Sequence, residues 1–310
     1  MLSERIREMF DVDDSVSSAL PDADLTASSN DRFNAWRTSL DQRQLMPEYL
    51  LPRIVRPIER QWPPFTDQRG GVELTPDALK KQIEALGPWL LPFPLDHGLM
   101  TRQDFGWRIT RDRLLFRHAL ITDTVASVLG TELSDSAVLD IGCSSGFFSL
   151  DIAALGAKQV DGVDLRPENV ARAQFLAEYY GVDNVTFGVS DADRLGSNRQ
   201  WDVVLNLGLL YHVTNPMHLL QQTFDLCRRF AVIDTTCHRQ PFSGYVLIGD
   251  RDVRIPTEGR DHFELHPTYR GVVDSLLYTG FSDVFEIVGS AEPPHPVYAS
   301  GSRRCFVAIK

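Results

Sequence analysis

The sequence predicts an α/β protein. The expected core is a mostly parallel seven-stranded sheet with an antiparallel C-terminal strand, preceded by a mainly helical N-terminal extension. Three observations carry this. Between residues 137 and 234, short apolar runs alternate with helical segments at intervals of about 20 to 25 residues, the pattern of parallel strands joined by crossover helices. Near the C-terminus, two strand-like runs are separated only by a loop containing Pro and Gly. With no helical segment between them, these two strands should pair antiparallel. A small-residue turn bracketed by Gly142 and Gly146 follows the first apolar run.

The elements can be justified in order. Residues 1–30 are rich in Asp, Ser and Ala, and few large apolar side chains follow Phe10, which predicts a frayed or loosely helical end. Phe33, Trp36, Leu40, Leu45 and Leu50 recur at roughly helical spacing. Pro52, Pro57, Pro63 and Pro64 then predict a run over a surface. Thr75-Pro76-Asp77-Ala78 opens a helix, with Thr75 as N-cap and Pro76 at the first helical position, stopping near Gly87-Pro88. A further helix runs from about Asp112 to Leu129 and closes at Gly130. The predicted strands are Ala137–Ile141, Val160–Asp164, Val185–Val189, Asp202–Leu207 and Phe230–Asp234, followed by Asp283–Val288 and Arg304–Ile309. Residues 261–267 read as a loop leading into a helix over Thr268–Tyr278, stopped by Gly280. The expected division is an extension over residues 1–110 and a core domain over 111–310.

Composition excludes several classes. With 43% hydrophobic and 24% charged residues among 310, the chain can bury a substantial core. No apolar run reaches the roughly 18 residues of a spanning helix, and the start lacks a signal-peptide stretch, so a cytoplasmic protein without membrane contact is expected. Cys143, Cys227, Cys237 and Cys305 lie far apart with no CxxC pair, which predicts isolated buried thiols and neither disulfides nor a zinc site. A net charge of −11 disfavours a broad nucleic-acid interface.

The informative segment is Val138-Leu139-Asp140-Ile141-Gly142-Cys143-Ser144-Ser145-Gly146-Phe147-Phe148-Ser149: a buried strand, a small-residue turn and a helix start. Gly142 and Gly146 would let the backbone approach a ligand where a Cβ intrudes. Asp140 places a carboxylate where a cationic amino group could sit. Asp164 ends the second strand roughly 20 residues after the turn, where an acid can take both ribose hydroxyls of an adenosine. After the third strand, Asp191 could accept from an adenine amino group, with Ala192 against the ring. The GxxxG spacing, preceded by an acid, departs from the GxGxxG that lets a pyrophosphate approach, which places a nicotinamide dehydrogenase behind an adenosyl-amino-acid ligand.

These residues resemble the class I S-adenosylmethionine-dependent methyltransferases, over about residues 110–310. The resemblance implies a Rossmann-like fold. It also implies S-adenosyl-L-methionine as cofactor, with Asp140, Gly142 and Gly146 along its methionine part, Asp164 at the ribose, and Asp191 with Ala192 at the adenine. Cys143, Ser144, Leu165, Asn206 and Leu207 complete the expected cofactor contacts. The segment Gln103–Arg108, with Trp107 and Arg108, could fold over the cofactor as a lid, Arg108 or Arg111 meeting the methionine carboxylate; the alternative is that Phe105 and Trp107 anchor the N-terminal extension to the core. Trp201 to Pro216, with Tyr211-His212, is similar to the fourth-strand block of the tRNA wobble-uridine (5-oxyacetyl/5-methoxyuridine) methyltransferase group. Members of that group with a carboxylated cofactor carry a Lys after an upstream Trp motif. Here Leu90-Leu91 follows Trp89, which points away from that cofactor and from tRNA.

Methyl transfer needs a nucleophile aligned opposite the sulfur, and a base where the acceptor is a hydroxyl. The base should lie near the ends of the fourth and fifth strands. Tyr211 could orient the methyl or the acceptor oxygen, and His212 could take the proton, since an imidazole titrates near neutrality. His238, after the fifth strand, is a third candidate. Each has a structural alternative: a backbone-bonded helix-start His212, a packed Tyr211, a surface His238. Asp261, His262, Glu264 and His266 cluster in sequence, but Pro267 interrupts the helix that His-x3-His ligation requires, so no metal is expected. Arg303 and Arg304 are adjacent on a strand and must point to opposite faces. The preferred function is methylation of a small-molecule acceptor on oxygen. A tRNA-modifying enzyme with a basic groove assembled from the Arg108–Arg117 region, Arg303 and Arg304 is the alternative, and a non-catalytic cofactor-binding module is a third reading. Oligomeric state is not readable.

Overall fold

The computed structural model describes residues 2–9, 51–58, 62–67, 71–102, 111–196, 199–249, 263–290 and 295–310. The expected helix after Arg32 lies outside the described residues apart from Leu51. So do Trp107 and Arg108, and Asp261 and His262.

In chain order the elements begin with α1 (Leu2–Met9), β1 (Arg53–Arg56), α2 (Pro76–Ala85) and α3 (Arg111–Leu129). Next come β2 (Ala137–Ile141), α4 (Phe147–Ala154), β3 (Gln159–Asp164), α5 (Pro167–Tyr180) and β4 (Val185–Val189). The chain continues through β5 (Trp201–Leu207), α6 (Pro216–Leu226), β6 (Cys227–Thr236), β7 (Tyr245–Ile248) and β8 (Glu264–Pro267). It ends with α7 (Tyr269–Thr279), β9 (Asp283–Gly289), α8 (Pro296–Ala299) and β10 (Arg303–Ile309). The α/β class is as expected: strands pair mostly in parallel, and the antiparallel pairings of the main strands all involve β10. Two compact units are present, one around Pro57–Gly196 and one around Met1–Arg56, Ser197–Val253 and Glu258–Lys310.

In the first unit, β2, β3 and β4 run parallel, with Val138 opposite Val160 and Val160 in turn opposite Val185. Helices α4 and α5 make the crossovers. Their starts follow from local chemistry: Gly146 caps α4 in a left-handed conformation, and Pro167 occupies the first turn of α5, where its missing N–H costs nothing. Thr75 caps α2 as expected, accepting from the Ala78 N–H at 3.3 Å. The Pro63-Pro64 stretch does not run over a surface. A 3-10 turn there buries Phe65 completely, edge-to-face with Phe147 (5.7 Å) and Tyr180 (5.1 Å). Proline ended regular structure as predicted, but the aromatic side chain beside it decided the depth.

In the second unit β5 pairs parallel with β6, β6 antiparallel with β10, β10 antiparallel with β9, and β9 parallel with β1. Strand β1 was not anticipated, because prolines flank it. It is an edge strand, where prolines outside the ladder do no harm, and Ile54 is fully buried. Arg53 on β1 and Arg304 on β10 both reach the buried carboxylate of Glu286 on β9. Strands β7 and β8 form a small antiparallel sheet. The expected loop before α7 is therefore corrected from Glu264 onward: Glu264–Pro267 is a strand, in a register that sets Val246 opposite His266. Helix α7 is stopped as predicted by left-handed Gly280, and Thr268, expected as its first residue, is its N-cap.

Candidate functional site

The glycine turn is built by backbone sign. Gly142, Ser144 and Gly146 all have positive φ, of 75°, 52° and 80°. For Ser144 that conformation costs about 1–2 kcal/mol, so something must hold it. Asp164 at the end of β3 does: its Oδ2 accepts the Ser144 N–H at 2.9 Å. The N–H groups of Gly142 and Cys143 both reach the Val163 carbonyl, at 2.8 and 2.9 Å, stapling the turn to β3. At Gly146 the space a Cβ would need is filled from inside, by Phe187 at 2.7 Å and Ala173 at 3.0 Å. This glycine is therefore demanded by helix–strand packing as well as by its φ.

Asp164 also accepts from the Arg166 N–H (2.9 Å) and the Asn169 side chain (3.1 Å) through Oδ1. A carboxylate offers about four acceptor directions, so with three in use one remains for a ligand hydroxyl while those bonds stand. Asp140 is 2% exposed and accepts from the Ser149 hydroxyl at 2.6 Å. Burial pushes its carboxyl up to about 6; the Ser149 hydrogen bond opposes this, and the charge of Asp164 adds to it. The charge of Arg117 also pulls the carboxyl down, but less than burial raises it, so a further cation beside Asp140 would be favoured. Cys143 is buried in the same turn, and burial pushes its thiol well above the usual range. Leu165 and Val189, beside Asp164 and at the end of β4, are large apolar side chains left 44% and 56% exposed, a surface suited to a flat ring. Asp191 caps a 3-10 turn that starts at Ala192, accepting the Asp193 N–H at 3.0 Å.

The second unit holds the other predicted residues. Asn206 and Leu207 end β5. Asn206 is fully buried, and neither atom of its amide has a hydrogen-bond partner among the described residues. Tyr211 and His212 lie in the 3-10 turn Leu210–His212, with the His212 N–H bonded to the Leu209 carbonyl. Their rings are 4.0 Å apart. The structure brings this pair together with two residues of β8. His212 Nδ1 lies 2.8 Å from Glu264 Oε1, close but off the hydrogen-bond axis, and His266 Nε2 lies 2.7 Å from Glu264 Oε2. The His266 ring meets the Tyr211 ring edge-to-face at 5.4 Å. The third candidate, His238, is tied through its backbone to Pro267, and its Nδ1 is buried without a hydrogen-bond partner among the described residues.

Arg303 and Arg304 do point to opposite sides. Arg303 is buried against Asp234, Nε to Oδ1 at 2.7 Å, and Tyr298 donates to the other oxygen of the same carboxylate at 2.5 Å. Arg304 instead reaches Glu286 and stacks over Tyr269. The sequence does not show Glu264 and His266 as partners of Tyr211 and His212, because the segment reads as a loop; on the strand it forms, the period of two puts residues 264 and 266 on one face. Among the described residues no group of three or more His, Cys, Asp or Glu side chains is arranged to hold a metal, and no helix is long and apolar enough to cross a membrane.

Residues 132–244 match the family model described as "Methyltransferase domain". A tRNA U34 carboxymethyltransferase of Cellvibrio japonicus is 30% identical over 158 residues, 48% of this chain and 44% of that protein. A ubiquinone biosynthesis O-methyltransferase of Ruegeria pomeroyi is 36% identical over 119 residues, 37% of this chain and 47% of that protein. The alignments thus span less than half the length of either relative. The N-terminal domain of EvdMO1, crystallised with SAH and D-fucose, shares the fold: TM-score 0.58 at 18% identity, over 76% of this chain and 96% of that one.

Proposed function

We propose that this chain, whose residues 132–244 match a methyltransferase-domain model, is a class I S-adenosylmethionine-dependent enzyme that methylates a small-molecule acceptor on oxygen. The observation that carries cofactor binding is the buried Asp140 carboxyl, pushed up to about 6 by burial beside a left-handed turn held by Asp164. The donor set fits an adenosine joined to a cationic amino-acid tail. Asp140 would meet the ammonium, Asp164 a ribose hydroxyl, and Leu165, Asp191 and Ala192 the adenine. The remaining cofactor contacts fall to Gly142, Cys143, Ser144, Gly146, Asn206 and Leu207, with Trp107 and Arg108 from the segment outside the described residues. Once bound, the cofactor supplies an electrophilic methyl whose sulfonium sulfur keeps the bonding pair on transfer. The protein's own work is then to orient the acceptor and remove its proton. In this reading His212 takes the proton, Tyr211 orients the acceptor oxygen, His238 lies at the acceptor's edge, and residues 1–110 shape its pocket. Oxygen as the methylated atom is supported by the O-methyltransferase relative and by an imidazole held against a buried carboxylate.

Incubation with isotopically methyl-labelled S-adenosylmethionine and a metabolite extract, followed by mass spectrometry, tests the proposal: a small molecule heavier by one labelled methyl is expected. The tRNA U34 carboxymethyltransferase relative favours a second reading, an enzyme acting on tRNA. Label recovered only in an RNA fraction, with binding that weakens steeply as salt rises, would select it. No labelled product in any fraction would reject both.

A further inference from the structure

We propose that Glu264 and His266 are positioning residues for His212, so that one buried carboxylate holds two imidazoles in opposite tautomers. The inference rests on the reading that this chain deprotonates a hydroxyl acceptor, but its structural half is independent of that reading. The Glu264 side chain is 3% exposed, and its two oxygens meet two different rings: Oε1 lies 2.8 Å from His212 Nδ1, and Oε2 lies 2.7 Å from His266 Nε2. A nitrogen lone pair facing an anionic oxygen at such a distance is repulsive, and in a buried site the repulsion is poorly screened. Both facing nitrogens must therefore carry hydrogen. For His266 the hydrogen bond is formed. For His212 the approach is close but off-axis, and a small ring rotation closes it.

The consequence for chemistry follows from the imidazole's two nitrogens. With hydrogen fixed on Nδ1, the His212 lone pair sits on Nε2, the nitrogen turned away from Glu264 and able to act as base. As the acceptor O–H breaks, its proton moves to His212 Nε2, and the oxygen keeps the electron pair with which it bonds the methyl. The resulting imidazolium faces the Glu264 carboxylate, which stabilises it. His266 occupies the second carboxylate oxygen and so stops Glu264 from swinging away. Its ring also abuts Tyr211, tying the orientation of both Tyr211 and His212 to one strand, β8.

The test is a long-range proton–nitrogen correlation spectrum of the full chain labelled with nitrogen-15 in histidine, without ligand, at a pH where the imidazoles are neutral. His212 should be predominantly the Nδ1–H tautomer and His266 predominantly Nε2–H. Glu264→Gln offers one acceptor and one donor in place of two acceptors, so one of the two rings should reverse its tautomer. With the acceptor identified by labelling, the same variant should lose about 100-fold or more in kcat while the cofactor KM changes little. Wild-type His212 in the Nε2–H form overturns the proposal without any variant. So does a Glu264→Gln protein with both tautomers and kcat unchanged. If the wild type methylates no hydroxyl, the proposed function fails, while the tautomer pattern still decides whether Glu264 sets the two rings.

Discussion

Replacing Asp140 with Asn should make the ligand-free protein more stable and the cofactor weaker. The carboxyl sits at about 6 against an ordinary 3.8, with burial the first cause. Holding it ionised at neutral pH therefore costs on the order of 3 kcal/mol. The sign follows from the raised acid: its contribution to stability is complete below about pH 4, where both folded and unfolded forms are protonated, and it is lost as pH rises through about 6. An amide can still accept the Ser149 hydroxyl bond and carries no such cost, so Asp140→Asn should unfold at a higher temperature than wild type at about pH 7.5 and gain little at about pH 4. A cation at the site must return at least the same 3 kcal/mol to restore an ordinary acid, so the variant should bind S-adenosylmethionine roughly 100-fold more weakly. Wild-type affinity should be level above about pH 7 and fall about tenfold by pH 5, where roughly a tenth of the carboxyl is ionised. Titration calorimetry at about pH 5.5 in buffers of different ionisation enthalpy should show release of about three-quarters of a proton on binding. Affinity flat from about pH 5 to 7, together with an Asn variant that binds like wild type, would refute the ammonium assignment. An Asn variant less stable than wild type at neutral pH would refute burial as the cause.

Three further outcomes are expected. Gly146→Ala puts a Cβ 2.7 Å from Phe187 at a φ of +80°, so chemical denaturation should show a loss of about 2 kcal/mol or more, only partly recovered by Phe187→Leu because the backbone strain remains. Arg303→Met leaves Asp234 buried without its guanidinium and should cost about 3–5 kcal/mol, whereas adding Asp234→Leu should recover much of it in a double-mutant cycle. Burial pushes the thiols of Cys227 and Cys237 up to about 12, so an alkylating reagent at about pH 8 should modify neither in the native protein and both after denaturation.

What the sequence made legible was local chemistry with a fixed address. The glycine turn, the acids ending β2 and β3, the Thr75 cap and the Gly280 stop all depend on residues within a few positions of one another. Composition and spacing state those directly. The antiparallel pairing of β10 with β9 was also legible, because the Pro- and Gly-containing connection carries no crossover-length helical pattern. What stayed hidden depends on residues far apart in the chain. Strand β1 is specified by Glu286, more than 200 positions away, which draws in Arg53. Phe65 is buried because Phe147 and Tyr180 wait for it, although its own neighbours are prolines. Glu264 was hidden for a different reason: a strand of four residues carries too little alternation to be seen, and the paired strand lies on the far side of residues 249–263.

The buried acids on the strands sort by what answers them. Asp234 has an arginine and a tyrosine hydroxyl, and Glu286 has two arginines; each charge is balanced within the protein, and each ties strands together. Asp140 accepts from a hydroxyl, and Glu264 faces two imidazoles. At Asp140 burial outweighs both the hydroxyl bond and the charge of Arg117, so a fold that needed the position only for packing would be better served by an amide. Under the proposed function a positive charge arrives at Asp140 with the cofactor's ammonium, and one forms on His212 beside Glu264 as the acceptor's proton moves. The same comparison therefore tests both assignments. Amide replacement at Asp234 or Glu286 should destabilise the protein outright, while at Asp140 it should spare or raise stability and be felt in cofactor binding, and at Glu264 it should be felt in turnover.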